Sequence, residues 1–276
     1  MKDIIVSFSG GATSGFMCKW LIDNMSHVFN LHFVYANTGQ EHENTLKFVD
    51  QCDKAFGLNL TWVEAVVRHG VRKASGCRIV DFKTADRRGR VFEDMISKYG
   101  IPNKTYPHCT RELKIHPMRA WAESQGLKGA TFALGIRADE PKRIKRGNGK
   151  LYPLVDLVSV TKEDVLEWWG KQPFKLDLPE HLGNCTWCWK KSLRKLLTIT
   201  ADHPEIMEFP LFMEAKYGHI TTNADICERR VFFRETRSTA DIINMANGDF
   251  DPFVDLNYED CAEECGSVFP DEIHSS

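Results

Sequence analysis

The chain opens with an apolar run, Ile4 to Ser9, that passes through Gly10 and Gly11 into a segment where Phe16, Met17, Trp20, Leu21 and Met25 recur at helical spacing. The same step repeats. Leu31 to Ala36 is a second apolar run, Asn44 to Phe56 carries Leu46, Phe48, Val49, Cys52 and Phe56 on one helical stripe, and Leu60 to Val67 is a third run. Short apolar runs alternating with helical stripes read as buried strands joined by helices. Strands joined through a helix run parallel, because the crossover brings the chain back to the same edge. The pattern predicts an α/β fold: a Rossmann-like parallel sheet with helices on both faces.

Further along, Arg68 to Pro107 is less regular, with a helix over Arg90–Tyr99. A helix is expected over Arg111–Gln125, a fourth strand over Ala130–Ile136 and a short strand over Tyr152–Val158. Lys162 to Gly170 reads as a helix capped by Thr161. From Gly183 the character turns helical, with helices over Lys190–Asp202, Pro204–Tyr217 and Thr239–Ala246. This places an α/β domain over 1–182 and a helical, cysteine-bearing region over 183–276.

Composition bounds the function. A hydrophobic content of 42% with a net charge of −2 gives a packed core and no global field for a polyanion, which leaves only local basic patches such as Arg87 to Arg90 and Lys142 to Lys150. The default reading of both patches is solvated charge. No signal-peptide pattern and no long apolar segment is present, so a cytosolic protein without a membrane anchor is expected. In that compartment nine cysteines form no disulfide framework, and they sort into core fillers, metal ligands and reactive thiols.

In a parallel sheet, ligands bind where strand ends meet helix starts. The amides of a helix N-terminus point at an anion, and glycines let it come close. With hydroxyls from Ser9, Thr13 and Ser14, the first turn is expected to hold a phosphate or sulfate.

The stretch Ser9-Gly-Gly-Ala-Thr-Ser14 resembles the PP-loop (SGGxxS) of the adenine nucleotide α-hydrolase-like superfamily, which includes N-type ATP pyrophosphatases and the phosphoadenosine phosphosulfate (PAPS) reductase family. Three further stretches carry the likeness in order: Tyr35-Ala-Asn-Thr-Gly-Gln-Glu41, Cys109-Thr-Arg-Glu-Leu-Lys114 and Gly135-Ile-Arg-Ala-Asp-Glu-Pro-Lys-Arg143, followed by Tyr152-Pro-Leu-Val155 and Trp168-Trp169. Over roughly the first 200 residues the chain is similar to the PAPS-reductase-like proteins of phages and prophages. The resemblance implies that an adenine nucleotide (PAPS, adenylyl sulfate or ATP) is cradled by Ser9, Gly10, Gly11, Thr13 and Ser14. Asn37, Thr38, Gly39 and Glu41 would lie beside the nucleoside, and Gly135 would allow close approach to base or ribose. Arg137 and Arg143 would grip the anion, with Arg111 and Lys114 as catalytic cations. Asp139, with Glu140, reads either as a magnesium site or as an acidic pair bridged to its basic neighbours. Pyrophosphatases carry an aspartate where this chain has Thr13, which favours sulfonucleotide chemistry over attack on the α-phosphate of ATP.

Cys18 and Cys52 fall on apolar helix faces and read as fillers, while Cys77 and Cys227 stay unassigned. Cys185-Thr-Trp-Cys188 reads as a C-x-x-C at a helix start, where the dipole favours thiolates. By resemblance to adenylyl sulfate reductases, Cys109, Cys185 and Cys188 would be metal ligands for a four-iron four-sulfur cluster or zinc, with Cys261 as the fourth. Cys265, in Glu264-Cys-Gly266, resembles the reductases' catalytic cysteine.

Three functions follow: a sulfonucleotide reductase recharged by a thioredoxin-type reductant, a group transferase that adenylates a nucleic acid or other target with ATP (magnesium then being required), and a non-catalytic nucleotide or iron-sulfur binding protein.

Overall fold

The computed structural model describes residues 1–70, 73–147, 149–220 and 229–254. At its centre β1 (Lys2–Phe8) pairs in parallel with β2 (Phe29–Asn37) on one side and β5 (Thr131–Leu134) on the other. β3 (Thr61–Val66) continues in parallel beyond β2, and β6 (Lys150–Leu151) beyond β5. β4 (Gly76–Val80) pairs antiparallel to β3, which makes a six-stranded sheet in the order β4-β3-β2-β1-β5-β6.

Side chains alternate across this sheet, as strand geometry requires. Ile4, Val6 and Phe8 enter one apolar cluster, with α1 (Ala12–Met25) and α2 (Glu43–Phe56), while Ile5 enters another on the opposite face. Cys18 and Cys52 are fully buried in the first cluster, which bears out their reading as fillers. A third cluster joins α3 (Arg90–Tyr99) to Leu182, Trp187 and the later helices, so it draws on both sides of Leu182.

The stretch read as one helix over Arg111–Gln125 starts earlier and changes pitch. It comprises α4 (His108–Thr110), a π-helical turn (Arg111–Ile115) and α5 (His116–Ser124), which packs on the face opposite α1. The wider turn removes the α-helical three-residue spacing that would have stacked Arg111 over Lys114.

Two other expectations are corrected. The stretch read as a strand over Tyr152–Val158 is instead α6 (Pro153–Asp156), because Pro153 stands in its first turn and the Asp156 carboxylate accepts from the Tyr152 amide at 2.8 Å. β4 was hidden in an irregular-looking stretch: it is a short edge strand containing Gly76 and Arg78, and its outward Ile79 is 64% exposed, so it shows no apolar run.

α7 (Lys162–Gly170) begins as expected, with Thr161 and Asp164 forming a capping box. It is followed by α8 (Leu193–Asp202), α9 (Glu208–Tyr217) and α10 (Thr239–Ala246). The Cys185–Cys188 segment is not at a helix start. α8 begins at Leu193 with Ser192 as its cap, and the two cysteines lie ahead of it in turns, away from the helix dipole.

Candidate nucleotide and thiol site

The ends of β1, β2 and β5 deliver three loops to one side of the sheet. In the first, Gly10 has φ +84°, and a Cβ there would stand 2.7 Å from Thr45 Cγ2, so glycine is required by both backbone and space. Gly11 is the N-cap of α1 and offers no side chain to the helix amides, which remain available to an anion. Ser14 Oγ donates to the Gly11 carbonyl at 2.9 Å and accepts from the Ser9 amide at 3.2 Å. Having spent its one proton, it accepts from Ser9 Oγ at 2.9 Å. The serines therefore brace the turn itself. Gly135, at the end of β5, packs where a Cβ would lie 3.2 Å from Ser14 Cα; its visible role is to let β5 approach the first turn of α1.

From the β5 loop, Arg137 reaches back across this seam. Its Nη1 donates to Thr13 Oγ1 at 3.2 Å, and its Nε donates to Asp139 Oδ1 at 2.9 Å. Glu140 takes the Arg137 amide at 3.1 Å and pairs with Arg143. Of the two readings of this acidic pair, the ion-paired one is present. Burial raises the Asp139 carboxyl, but the hydrogen bonds and charge of Arg137 outweigh it and hold the group below its ordinary value.

The β2 loop is turned inward more than expected. Asn37 is fully buried, with Nδ2 donating to Glu64 Oε1 at 2.7 Å and to the Asp86 carbonyl at 2.8 Å, while its Oδ1 has no hydrogen-bond partner among the described residues. Gly39 has φ +79°, and a Cβ would sit 2.5 Å from Asp86 Oδ2. The Glu41 side chain is 1% exposed. It accepts from the Thr38 amide at 3.0 Å and the Thr38 hydroxyl at 2.9 Å, and Lys114 Nζ stands 3.7 Å away. Thr38 and Glu41 thus tie the loop together and face the cysteines.

Cys109, Cys185 and Cys188 line one cavity of about 30 Å³ together with Thr38, Lys114 and Lys190. Thr38 Oγ1 lies 3.4 Å from Cys185 Sγ, and Glu41 and Cys185 form an antiparallel bridge. The Thr186 amide donates to the Gln40 carbonyl at 3.0 Å, and the Trp187 indole donates to Gln40 Oε1. The C-x-x-C turn is therefore stitched onto the loop that follows β2. Sequence reasoning missed Gln40 and Trp187 as its anchors; the signal was a tryptophan between two cysteines, too bulky for an exposed turn. Arg111 instead pairs with Glu112, Nε to Oε1 2.9 Å, away from the cavity lining.

Among the described residues, no group of three or more His, Cys, Asp and Glu side chains is arranged to hold a metal ion. The cavity nonetheless collects the soft sulfur donors that iron-sulfur clusters and zinc take. Cys227, Cys261 and Cys265 lie outside the described residues. Burial pushes the His108 imidazole down to about 4, against which its hydrogen bond to the Gly100 carbonyl works only in part.

Residues 3–75 match the model of the phosphoadenosine phosphosulfate reductase domain. Over 247 residues the chain is 39% identical to the uncharacterized nin region protein ORF290 of Escherichia phage lambda, covering 87% of this chain and 84% of the relative. The chain belongs to the PAPS reductase family of PP-loop proteins, as a phage-type member. A more distant relative, an uncharacterized protein of Methanocaldococcus jannaschii, is 24% identical over 50% of this chain and 24% of its own length. A solved structure described as a predicted subunit of tRNA methyltransferase, also from M. jannaschii, is 15% identical and covers 86% of this chain and 100% of its own, with a TM-score of 0.35. No helix among the described residues is long and apolar enough to cross a membrane.

Proposed function

We propose that the protein binds an adenine sulfonucleotide, PAPS or adenylyl sulfate, with its anionic end on the Ser9–Ser14 turn, and reduces the sulfate group by thiol chemistry. The observation that carries this reading is the contact of Thr38 Oγ1 with Cys185 Sγ at 3.4 Å, because it puts a cavity of thiols directly behind the nucleotide-side loop. The uncapped amides of α1 and the Arg137 guanidinium take the oxyanion, with Arg143 behind it. Lys114, at the cavity wall, offsets the charge that develops on the transferred group, and Arg111 remains a second candidate for that task. Asn37 and Gly39 lie on the nucleoside side.

Cys265 is the proposed attacking thiol, restored by a thioredoxin-type protein. Cys109, Cys185 and Cys188, with Cys261 as the fourth thiol, would hold a four-iron four-sulfur cluster or a zinc ion, whose cationic core would partly offset the charge of the thiolates and tie the C-x-x-C turn to α4. Release of sulfite from a sulfonucleotide in the presence of a dithiol tests the reading, and unchanged sulfite formation by Cys265→Ser would remove Cys265 from it. An iron and zinc count with the visible spectrum of anaerobically purified protein tests the metal.

One observation favours a second reading, ATP-dependent adenylation of an acceptor. Asp139 sits on the far edge of the guanidinium that reaches Thr13, so a carboxylate stands one side chain away from the position where pyrophosphatases carry theirs. Magnesium would then be held near Asp139. Pyrophosphate release from ATP, without sulfite release, would decide for it.

A further inference from the structure

The turn Arg87-Arg88-Gly89-Arg90 has the composition of a solvated loop, yet it is anchored from beneath by two carboxylates taken out of water. Glu64 is 0% exposed. Its Oε1 accepts from the Asp86 amide at 2.5 Å and from Asn37 Nδ2 at 2.7 Å, and its Oε2 takes Arg78 Nε at 3.0 Å and Nη2 at 2.7 Å. Asp86, also buried, accepts from Arg90 Nε at 3.1 Å and from the Arg88 amide at 3.3 Å. Gly89 lies against Gly39, which fixes the turn to the loop that follows β2.

What this anchoring holds outward is guanidinium. The Arg90 side chain is 75% exposed and that of Arg78 56%, each held by a buried carboxylate. Arg88, in the same turn, and Lys83, in the stretch that joins the edge strand to it, are exposed, and neither side chain has an ion pair among the described residues. Arg87 is used internally, donating to Glu43 and to the Phe82 and Ala85 carbonyls.

Burying two carboxylates is costly, and a merely solvated loop does not need it. An arginine already held along one edge loses less rotamer freedom when its other edge meets a phosphate. A single small anion would occupy one such group, whereas several cations spread over the turn and the neighbouring edge strand suit a polymer of phosphates. With the chain at −2 overall, the attraction is local to this face.

We propose that this face, Arg78, Lys83, Arg88 and Arg90, is a docking surface for the phosphodiester backbone of a single-stranded nucleic acid, lying beside the nucleotide crevice. The partner is additional to the small nucleotide and does not depend on which reaction the crevice performs. Backbone contacts of this kind are independent of base sequence and sensitive to salt.

The test is fluorescence anisotropy of the full chain with a labelled single-stranded oligonucleotide of mixed sequence, across a salt series. The wild type should bind at low salt. Arg88→Ala and Lys83→Ala should each reduce the slope of log K against log salt by about 1. Arg88→Glu should weaken binding roughly tenfold. Melting temperatures of these variants should match the wild type, since neither side chain supports the fold. Absence of oligonucleotide binding at low salt, or a wild-type slope in both alanine variants, overturns the proposal. So does displacement from these residues by an acidic peptide but not by unlabelled oligonucleotide. Protection from melting by an adenine nucleotide is measured alongside and should persist in Arg88→Ala; its absence from the wild type would count against the nucleotide reading alone.

Discussion

At Gly10 two demands coincide: a backbone angle of φ +84° and a gap to Thr45 that a methyl group would close to 2.7 Å. Gly10→Ala should therefore lose about 1–3 kcal/mol of stability, measured by denaturant unfolding, together with its nucleotide-dependent protection. His108 makes a separate prediction for acid. Burial lowers its folded-state value from 6.5 to about 4, so the unfolded chain binds the proton more readily. The stability that depends on a neutral His108 is complete above pH 6.5 and is lost as the pH falls towards 4. The loss should be about 3 kcal/mol and should shrink in His108→Gln, as read by unfolding midpoints across that range. Glu112 acts lower on the scale. Burial raises it, yet the His116, Ser75 and Arg111 hydrogen bonds bring it to about 2, so its contribution is present above 4.5 and lost below. Above pH 4.5 the acid loss from these two groups thus belongs to His108.

Among the elements, the C-x-x-C turn depends on a loop far away in sequence. Trp187 is almost fully buried against Phe92, Phe209 and Phe232, and its indole N–H finds its partner on Gln40. Gln40→Ala leaves that donor buried and unpaired, at a cost of about 1–3 kcal/mol. Because the substitution also loosens the seam between the two loops, hydrogen exchange at the Thr186 amide should speed up relative to the β1 amides; equal protection in variant and wild type would contradict the seam. The same seam explains why the helix-start reading of the cysteines fails. Spacing alone suggested a helix dipole, whereas the turns around Cys185 and Cys188 are shaped by backbone pairing with Gln40 and Glu41.

For the whole molecule, the cluster around Trp187 spans α3, the C-x-x-C turn and the later helices, so the two stretches of sequence share one core. Calorimetry should give a single transition that moves up with nucleotide, by about 2.7 kcal/mol at a hundredfold excess over Kd. Two separated transitions, only one of them responsive, would show that the parts unfold independently. The parallel sheet, α1, α2 and the first turn were legible in the sequence, because alternating strand and helix periods and paired glycines are local signals. Local signals likewise placed Thr161 at the head of α7 and the two filler cysteines in the core. By contrast, β4 was invisible, since an edge strand exposes half its residues, and α6 was misread because proline and aspartate capping overrode an apolar run. The reach of Arg137 to Thr13, the contact of Thr38 with Cys185, the meeting of Cys109 with the C-x-x-C turn and the anchoring of the arginine turn on Glu64 all join residues far apart in the chain. Such contacts depend on which strand ends lie side by side, and only the packed sheet decides that.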